Sequence, residues 1–213
     1  MPRFVVNGIV LVVAGTYLVV FFAEGAPVSE LARPIGAASS AAAIFVLLFD
    51  RYIWRWPGVS HLVKRPNLRG TWRGSLASHW VDPSTGKRIA PDPEIYLVIR
   101  QTYWSASVRL ITRESKSTSM IASVEPDGNG AYGLFAIYRS TPRASVRHRS
   151  PIHHGALMLD VSGSPPALLE GFYWTDRTTL GEINLQVRFR RLVNDYASGQ
   201  TLDSLQKRSW GRN

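Results

Sequence analysis

EIYLVIRQTYWSASVRLIT, residues 94–112, sets Ile95, Leu97 and Ile99 at alternate positions, meets Thr102-Tyr103-Trp104, and then resumes an extended pattern. A period of two puts those aliphatic side chains on one face of a strand, and their partners on the other. The same alternation returns in Ile183, Leu185, Val187 and Phe189. Reading outward predicts strands over 70–80, 94–102, 104–112, 117–125, 131–139, 155–162, 167–175 and 182–192. Turn chemistry separates them at Asp82-Pro83-Ser84-Thr85-Gly86, Asp127-Gly128-Asn129-Gly130 and Gly163-Ser164-Pro165-Pro166. No stretch beyond residue 66 shows a convincing helical period. Eight antiparallel strands with short links predict an up-and-down β-barrel, whose closure removes exposed edges. A two-sheet sandwich is the alternative.

Upstream the pattern changes. Phe4 to Ala23 runs about twenty residues without a charge, close to what crosses a bilayer at 1.5 Å per residue, and Pro34 to Phe49 is a second uncharged run. The expected organisation is an N-terminal transmembrane α-helical hairpin in 1–56, with helices at about 4–23 and 31–50. A juxtamembrane linker at 57–65, an all-β barrel domain at 66–193 and a fraying polar tail at 194–213 follow. The loop from Glu24 to Arg33 holds two Glu and a single Arg, whereas Arg3 precedes the first run and Arg51, Arg55, Lys64, Arg65 and Arg69 follow the second. The positive-inside rule then predicts both termini in the cytoplasm of a multi-pass membrane protein. Tyr52, Trp54 and Trp56 read as an aromatic belt. Gly36, Ala37, Ala38, Ser39, Ser40, Ala41, Ala42 and Ala43 form a small-residue surface, matched by Gly8 and Gly15. Such surfaces let membrane helices approach closely, either within the hairpin or between protomers through Gly36, Ala37, Ser40 and Ala41.

The absence of cysteine excludes disulfides and thiolate metal sites. Of the net charge of +10, residues 66–196 carry only +5, with 16 Lys and Arg against 11 Asp and Glu. That balance suits an anionic ligand without requiring one. No phosphate-cradling loop, His-Glu-x-x-His or nucleophile elbow occurs. His148, His153 and His154 cluster, but adjacent His on a strand face opposite sides and make a poor metal pair. Asp160, Glu170 and Asp176 are not paired by their spacing. The expectation is a binding protein and not an enzyme, with no metal and no cofactor.

The informative residues are polar or aromatic groups on strands that need a buried face. Gln101 shares the parity of Leu97 and Ile99, and Ser117 and Ser119 share one face. Tyr138 ends its strand, Tyr173 and Thr175 end another, and Arg177 follows; Trp72 and Trp104 supply large aromatic walls. Aromatic planes for stacking, hydroxyls and amides for base edges, and Arg for phosphate are what a nucleotide needs.

In order along the chain come two apolar spans, Gly70-x-Trp72-x-Gly74, Gln101-Thr102-Tyr103-Trp104, the Ser115/Ser117/Ser119 repeat, Tyr138…Pro142, Gly155…Leu159 and Gly171-x-Tyr173-x-Thr175-Asp176-Arg177…Gly181. Together, over about residues 1–192, this resembles the two-transmembrane, β-strand-rich effector family of bacterial CBASS anti-phage defence. The pattern departs at Arg139-Ser140-Thr141, where the family's turn carries an Asn. The resemblance implies a compact lipocalin-like barrel that binds a cyclic dinucleotide made by a phage-activated synthase. It further implies self-association through the membrane helices, disruption of the inner membrane and abortive cell death, with no DNA or RNA partner. A membrane-tethered module for a lipid or other apolar ligand, and an adaptor with a plugged barrel, are the competing readings.

Overall fold

The computed structural model describes residues 3–24, 32–79 and 92–210. The chain divides into two compact units: Met1–Arg65 with Thr102–Trp104, and Pro66–Gln101 with Ser105–Asn213.

In the first unit, α1 (Arg3–Glu24) packs against α2 (Ala32–Arg51). A glycine allows the approach, because a Cβ on Gly8 would stand 3.1 Å from the ring of Phe45. Ala38 is buried, while Gly36, Ser39, Ser40 and Ala43 remain exposed. The chain leaves α2 through a 3-10 turn (Ile53–Arg55) and α3 (Pro57–Val63), so the expected linker at 57–65 is largely helical. Phe49, Trp54, Val63 and Tyr103 form its core, with Tyr103 edge-on to both Phe49 and Trp54. The Tyr103 N–H donates to the Asp50 carbonyl at 2.9 Å, and the Trp104 N–H to Asp50 Oδ1 at 3.0 Å. The two expected helices therefore form. Among the described residues, no helix is long and apolar enough to cross a membrane, so the spanning role stays an inference from sequence.

The second unit is a closed barrel in which each strand is antiparallel to its neighbours. Its strands are β1 (Gly70–Ser78), β2 (Asp92–Gln101), β3 (Ala106–Ile111), β4 (Ser115–Pro126), β5 (Tyr132–Pro142), β6 (His153–Ser162), β7 (Leu168–Thr175) and β8 (Leu180–Phe189). β1 closes on β8 from Thr71 opposite Phe189 to Ser78 opposite Gly181. All eight expected strands are present in the expected order. The expected turn at 82–86 and the last residue of the first expected strand, Trp80, lie outside the described residues. Alternation holds: Ile95, Leu97, Ile99, Leu134, Leu159, Ile183 and Leu185 all lie in the interior cluster.

The expected frayed tail is a correction. Tyr196–Trp210 forms α4, which covers the outer wall at Tyr96, Val98 and Ile111 with Val193, Tyr196 and Leu202. Its buried positions, Tyr196, Gly199, Asp203 and the half-buried Gln206, recur at helical spacing. Two of those four are polar, so no apolar period marks the helix. Asp203 instead pairs with Arg73 and with Lys207, the latter at 2.8 Å. Glu94 accepts from the phenols of Tyr96 and Tyr196, the latter at 3.0 Å.

Trp72 is fully buried among the interior aliphatic residues. Trp72→Ala should lower the stability of the detergent-solubilised chain by about 3–5 kcal/mol, read from chemical denaturation, because the emptied volume cannot collapse in a closed barrel.

Candidate functional site

Antiparallel order sends the β2–β3, β4–β5 and β6–β7 connections to one barrel end and the β3–β4, β5–β6 and β7–β8 connections to the other. The interior differs between the two.

At the first end a plug fills the barrel. Trp72 Nε1 donates to the Leu68 carbonyl at 2.9 Å. The Leu68 N–H donates to Gln101 Oε1 at 2.7 Å, and Gln101 Nε2 donates to the Pro66 carbonyl at 3.0 Å. Arg188 lies over the Trp72 ring, 5.3 Å from its centroid, and donates to the Arg69 carbonyl at 2.8 Å. Burial holds the Arg188 pKa below the usual guanidinium range. Gln101 and Trp72 are thus engaged in fastening the chain that leads into β1. Trp104 belongs to the helical unit, where it stacks near Phe49, with centroids 6.1 Å apart.

The other end brings together six of the expected residues. Ser117 on β4 stands directly opposite Ser140 on β5, and Ser119 opposite Tyr138. Ser119 Oγ accepts the Val108 N–H at 2.9 Å. Ser117, Ser140 and Tyr138 are buried at 5%, 1% and 4% exposure, and among the described residues no hydrogen bond engages their hydroxyls. Tyr173 on β7 is 7% exposed and hydrogen-bonds Ser78. Thr175 Oγ1 accepts the N–H groups of Arg177 and Thr179, both at 3.3 Å, which shapes the β7–β8 turn.

Two glycines set how the tyrosines lie. Tyr138 pairs across the sheet with Gly155, and Tyr173 with Gly181. A Cβ on Gly155 would fall 2.6 Å from the Tyr138 ring and hydroxyl, and one on Gly181 would fall 2.4 Å from the Tyr173 ring. Each ring therefore rests in the space its cross-strand partner leaves empty. Burial pushes the phenol pKa of both up, and their mutual proximity adds to the effect on Tyr138.

The connections around this end are basic and tied to one another. Residues 139–154 hold Arg139, Arg143, Arg147 and Arg149 and no carboxylate. Arg149 pairs with Glu114 at 2.6 Å, and Arg143 N–H donates to the Glu114 carbonyl at 2.8 Å. Arg177 Nη1 donates to Ser150 Oγ at 2.9 Å. The His154 N–H donates to Asp176 Oδ2 at 2.9 Å, which together with nearby His153 and His154 holds that carboxyl below its usual range. Among the described residues, no three His, Asp or Glu side chains are placed to hold a metal.

The sequence reading missed three members of this site. Ser140 was assigned to a turn, yet β5 continues to Pro142 and turns Ser140 inward. Gly155 and Gly181 were motif residues without a role; the signal for them was a tyrosine opposite each glycine, which needs the register to be known.

Residues 63–187 match the family described as Cap15, cyclic dinucleotide receptor domain. The chain belongs to this family, in keeping with its resemblance to the CBASS effectors. Among curated proteins it is similar to CD-NTase-associated protein 15 of Yersinia aleksiciae, with 28% identity over 123 residues. The similarity covers 56% of this chain and 56% of that protein, so the chain spans about half the length of the curated relative it matches.

The raised phenol pKa values have a measurable consequence. Tyr96 behaves like Tyr138 and Tyr173, because burial and the Glu94 carboxylate oppose ionisation. In the unfolded chain these phenols ionise near pH 10. The folded state therefore holds more protons above that pH, and stability present below pH 10 is lost as pH rises beyond it. Absorbance titration at 295 nm should show Tyr96 and Tyr138 silent until the alkaline unfolding transition, and Tyr173 ionising above the pH of an exposed tyrosine.

Proposed function

We propose that the chain is a membrane-anchored receptor of a cyclic dinucleotide, acting as an effector in CBASS anti-phage defence. The single observation that carries this reading is the cluster of Ser117, Ser140 and Tyr138, buried side chains whose hydroxyls are not engaged by other described residues, at the barrel end that bears the arginine-rich connections. Hydroxyls that other side chains leave unused are free to hydrogen-bond a ligand that enters this end. Tyr138 and Tyr173 offer ring faces for two bases, worth about 1–3 kcal/mol each when stacked. Arg177 and the arginines of the β5–β6 connection suit the two phosphates. A lipid could use the aliphatic interior, but it would leave the hydroxyls unmet and the arginines without a purpose.

In this account a cyclic-nucleotide synthase, activated by infection, makes the ligand. Binding favours an assembled form, the hairpins gather, and the inner membrane is disrupted, killing the cell before phage mature. The span assignment rests on the uncharged run from Phe4 to Ala23 and its shorter companion, and both termini lie in the cytoplasm. Assembly in the bilayer uses the small-residue face of α2. Gly36 and Ser40 are exposed and Ala41 half-buried, whereas Ala38 is already used inside the hairpin; the side chain of Ala37 lies outside the described residues.

Calorimetric titration of the detergent-solubilised full chain against a panel of cyclic dinucleotides, with a linear dinucleotide as control, tests the receptor reading. Selective binding of one cyclic member is the expected result, and a folded chain that binds none would overturn it. Ser117→Ala with Ser140→Ala should weaken that binding about tenfold, and Arg177→Ala about 10–100-fold, in line with neutral and charge-assisted hydrogen bonds.

Separately, Ser40→Leu should leave nucleotide affinity unchanged and suppress dye release from vesicles that contain the protein. Unimpaired release would show that this face of α2 does not mediate assembly.

A further inference from the structure

Among the described residues of the barrel unit, the outer wall is covered on one side. α4 shields β2 and β3, burying Tyr96, Val98 and Ile111. On β4 to β8 no described element of the barrel unit plays that part. Strand register there places Ile121, Ile137, Ala156, Trp174 and Leu180 side by side across five strands. The next row on the same face contains Phe135, Met158 and Phe172. Ile137 and Trp174 are about half exposed, and Phe172 is 52% exposed. Ile121, Phe135, Ile137, Ala156 and Trp174 line part of a groove of about 620 Å³.

The third row is acidic. Asp160 stands directly opposite Glu170, with Glu125 farther along the row and Glu182 beside Phe172. Like charges directly opposite on neighbouring strands destabilise a sheet. Two exposed carboxylates so placed favour a cationic partner and disfavour an anionic lipid surface. The same barrel carries the complementary charge on its other side. Arg100 on β2 and Arg109 on β3 share the outer face with Tyr96, Val98 and Ile111, and Arg190 and Arg191 follow β8 in the chain. None of the four forms an ion pair among the described residues.

We infer that the β4–β8 face docks one barrel against a second copy of the chain, its apolar rows and carboxylates meeting the arginine-bearing β2–β3 side of the neighbour. The inference builds on the reading of the chain as one that assembles. Two different surfaces meet in this contact, so it is heterologous and extends into a ring or an open row. Strands about 4.8 Å apart and rows two residues apart give a face on the order of 500 Å², below the roughly 800 Å² per partner of a standard interface. The contact is therefore weak alone and strengthened when protomers are concentrated by a shared bilayer.

Chemical cross-linking of the full chain in detergent, across protein concentration and with and without the cyclic dinucleotide selected by calorimetry, tests this. Ile137→Glu should reduce cross-linked oligomers at least tenfold. So should the reversal D160K with E170K, and the reversal R100E with R109E. The two reversals in one chain should restore assembly to within about threefold of the unmodified protein. An unmodified chain that never assembles, reversals without effect, or loss without restoration in the combination would each overturn head-to-tail docking. The last result would point to a lipid or another protein on this face. Nucleotide affinity measured on the same variants separates the two readings: intact binding with unaltered assembly refutes only the docking face, and absent binding refutes only the receptor.

Discussion

An eight-stranded barrel encloses an interior that ordinary side chains can fill, so its capacity to hold a ligand depends on where large residues lie along its axis. Here Trp72, Leu68 and Arg188 occupy one end. At the other, two large residues fit only because each lies across a glycine on the next strand, Tyr138 over Gly155 and Tyr173 over Gly181. Those cross-strand pairs hold the tyrosine rings to the wall, with Ser117 and Ser140 on β4 and β5 at the same end. The proposed ligand site rests on that arrangement together with the arginines of the connections at the same end.

The proposed function assigns the two units weak contacts. A ligand shifts an assembly equilibrium only by its difference in affinity for the two states. A receptor meant to stay silent until infection needs contacts too weak to assemble alone yet sufficient once biased. In the proposed function those contacts fall to the exposed small residues of α2 and the exposed apolar residues on the outer face of β4–β8. The β2–β3 turn is part of the same economy, since Tyr103 and Trp104 bond to Asp50 at the end of α2. A strand connection of the barrel is thus also part of the helical unit.

Much of this was legible in the sequence. Period-two runs such as Ile95-x-Leu97-x-Ile99 announced the strands, and turn residues counted them. The same parity told which residues share a face, but not which face is inward or at what height along the axis each lies. Height depends on strand tilt and stagger, which are properties of the closed barrel. Trp72 and Gln101 were therefore grouped with Ser117 and Tyr173, although they lie at opposite ends. α4 escaped notice because its buried side carries Gly199 and Asp203 in place of aliphatic residues. The uncovered outer face was present in Leu134-Phe135-Ala136-Ile137, where both strand faces are apolar, a pattern that signals a second partner for the sheet.

Photo-cross-linking the full chain with an azido-purine cyclic dinucleotide, followed by peptide mapping, tests the central claim most directly. The account predicts label on β5 or β7, at or beside Tyr138 and Tyr173, and competition by the unmodified nucleotide. Competed label confined to Trp72, Gln101 or Trp104 would place the ligand at the plugged end and contradict it.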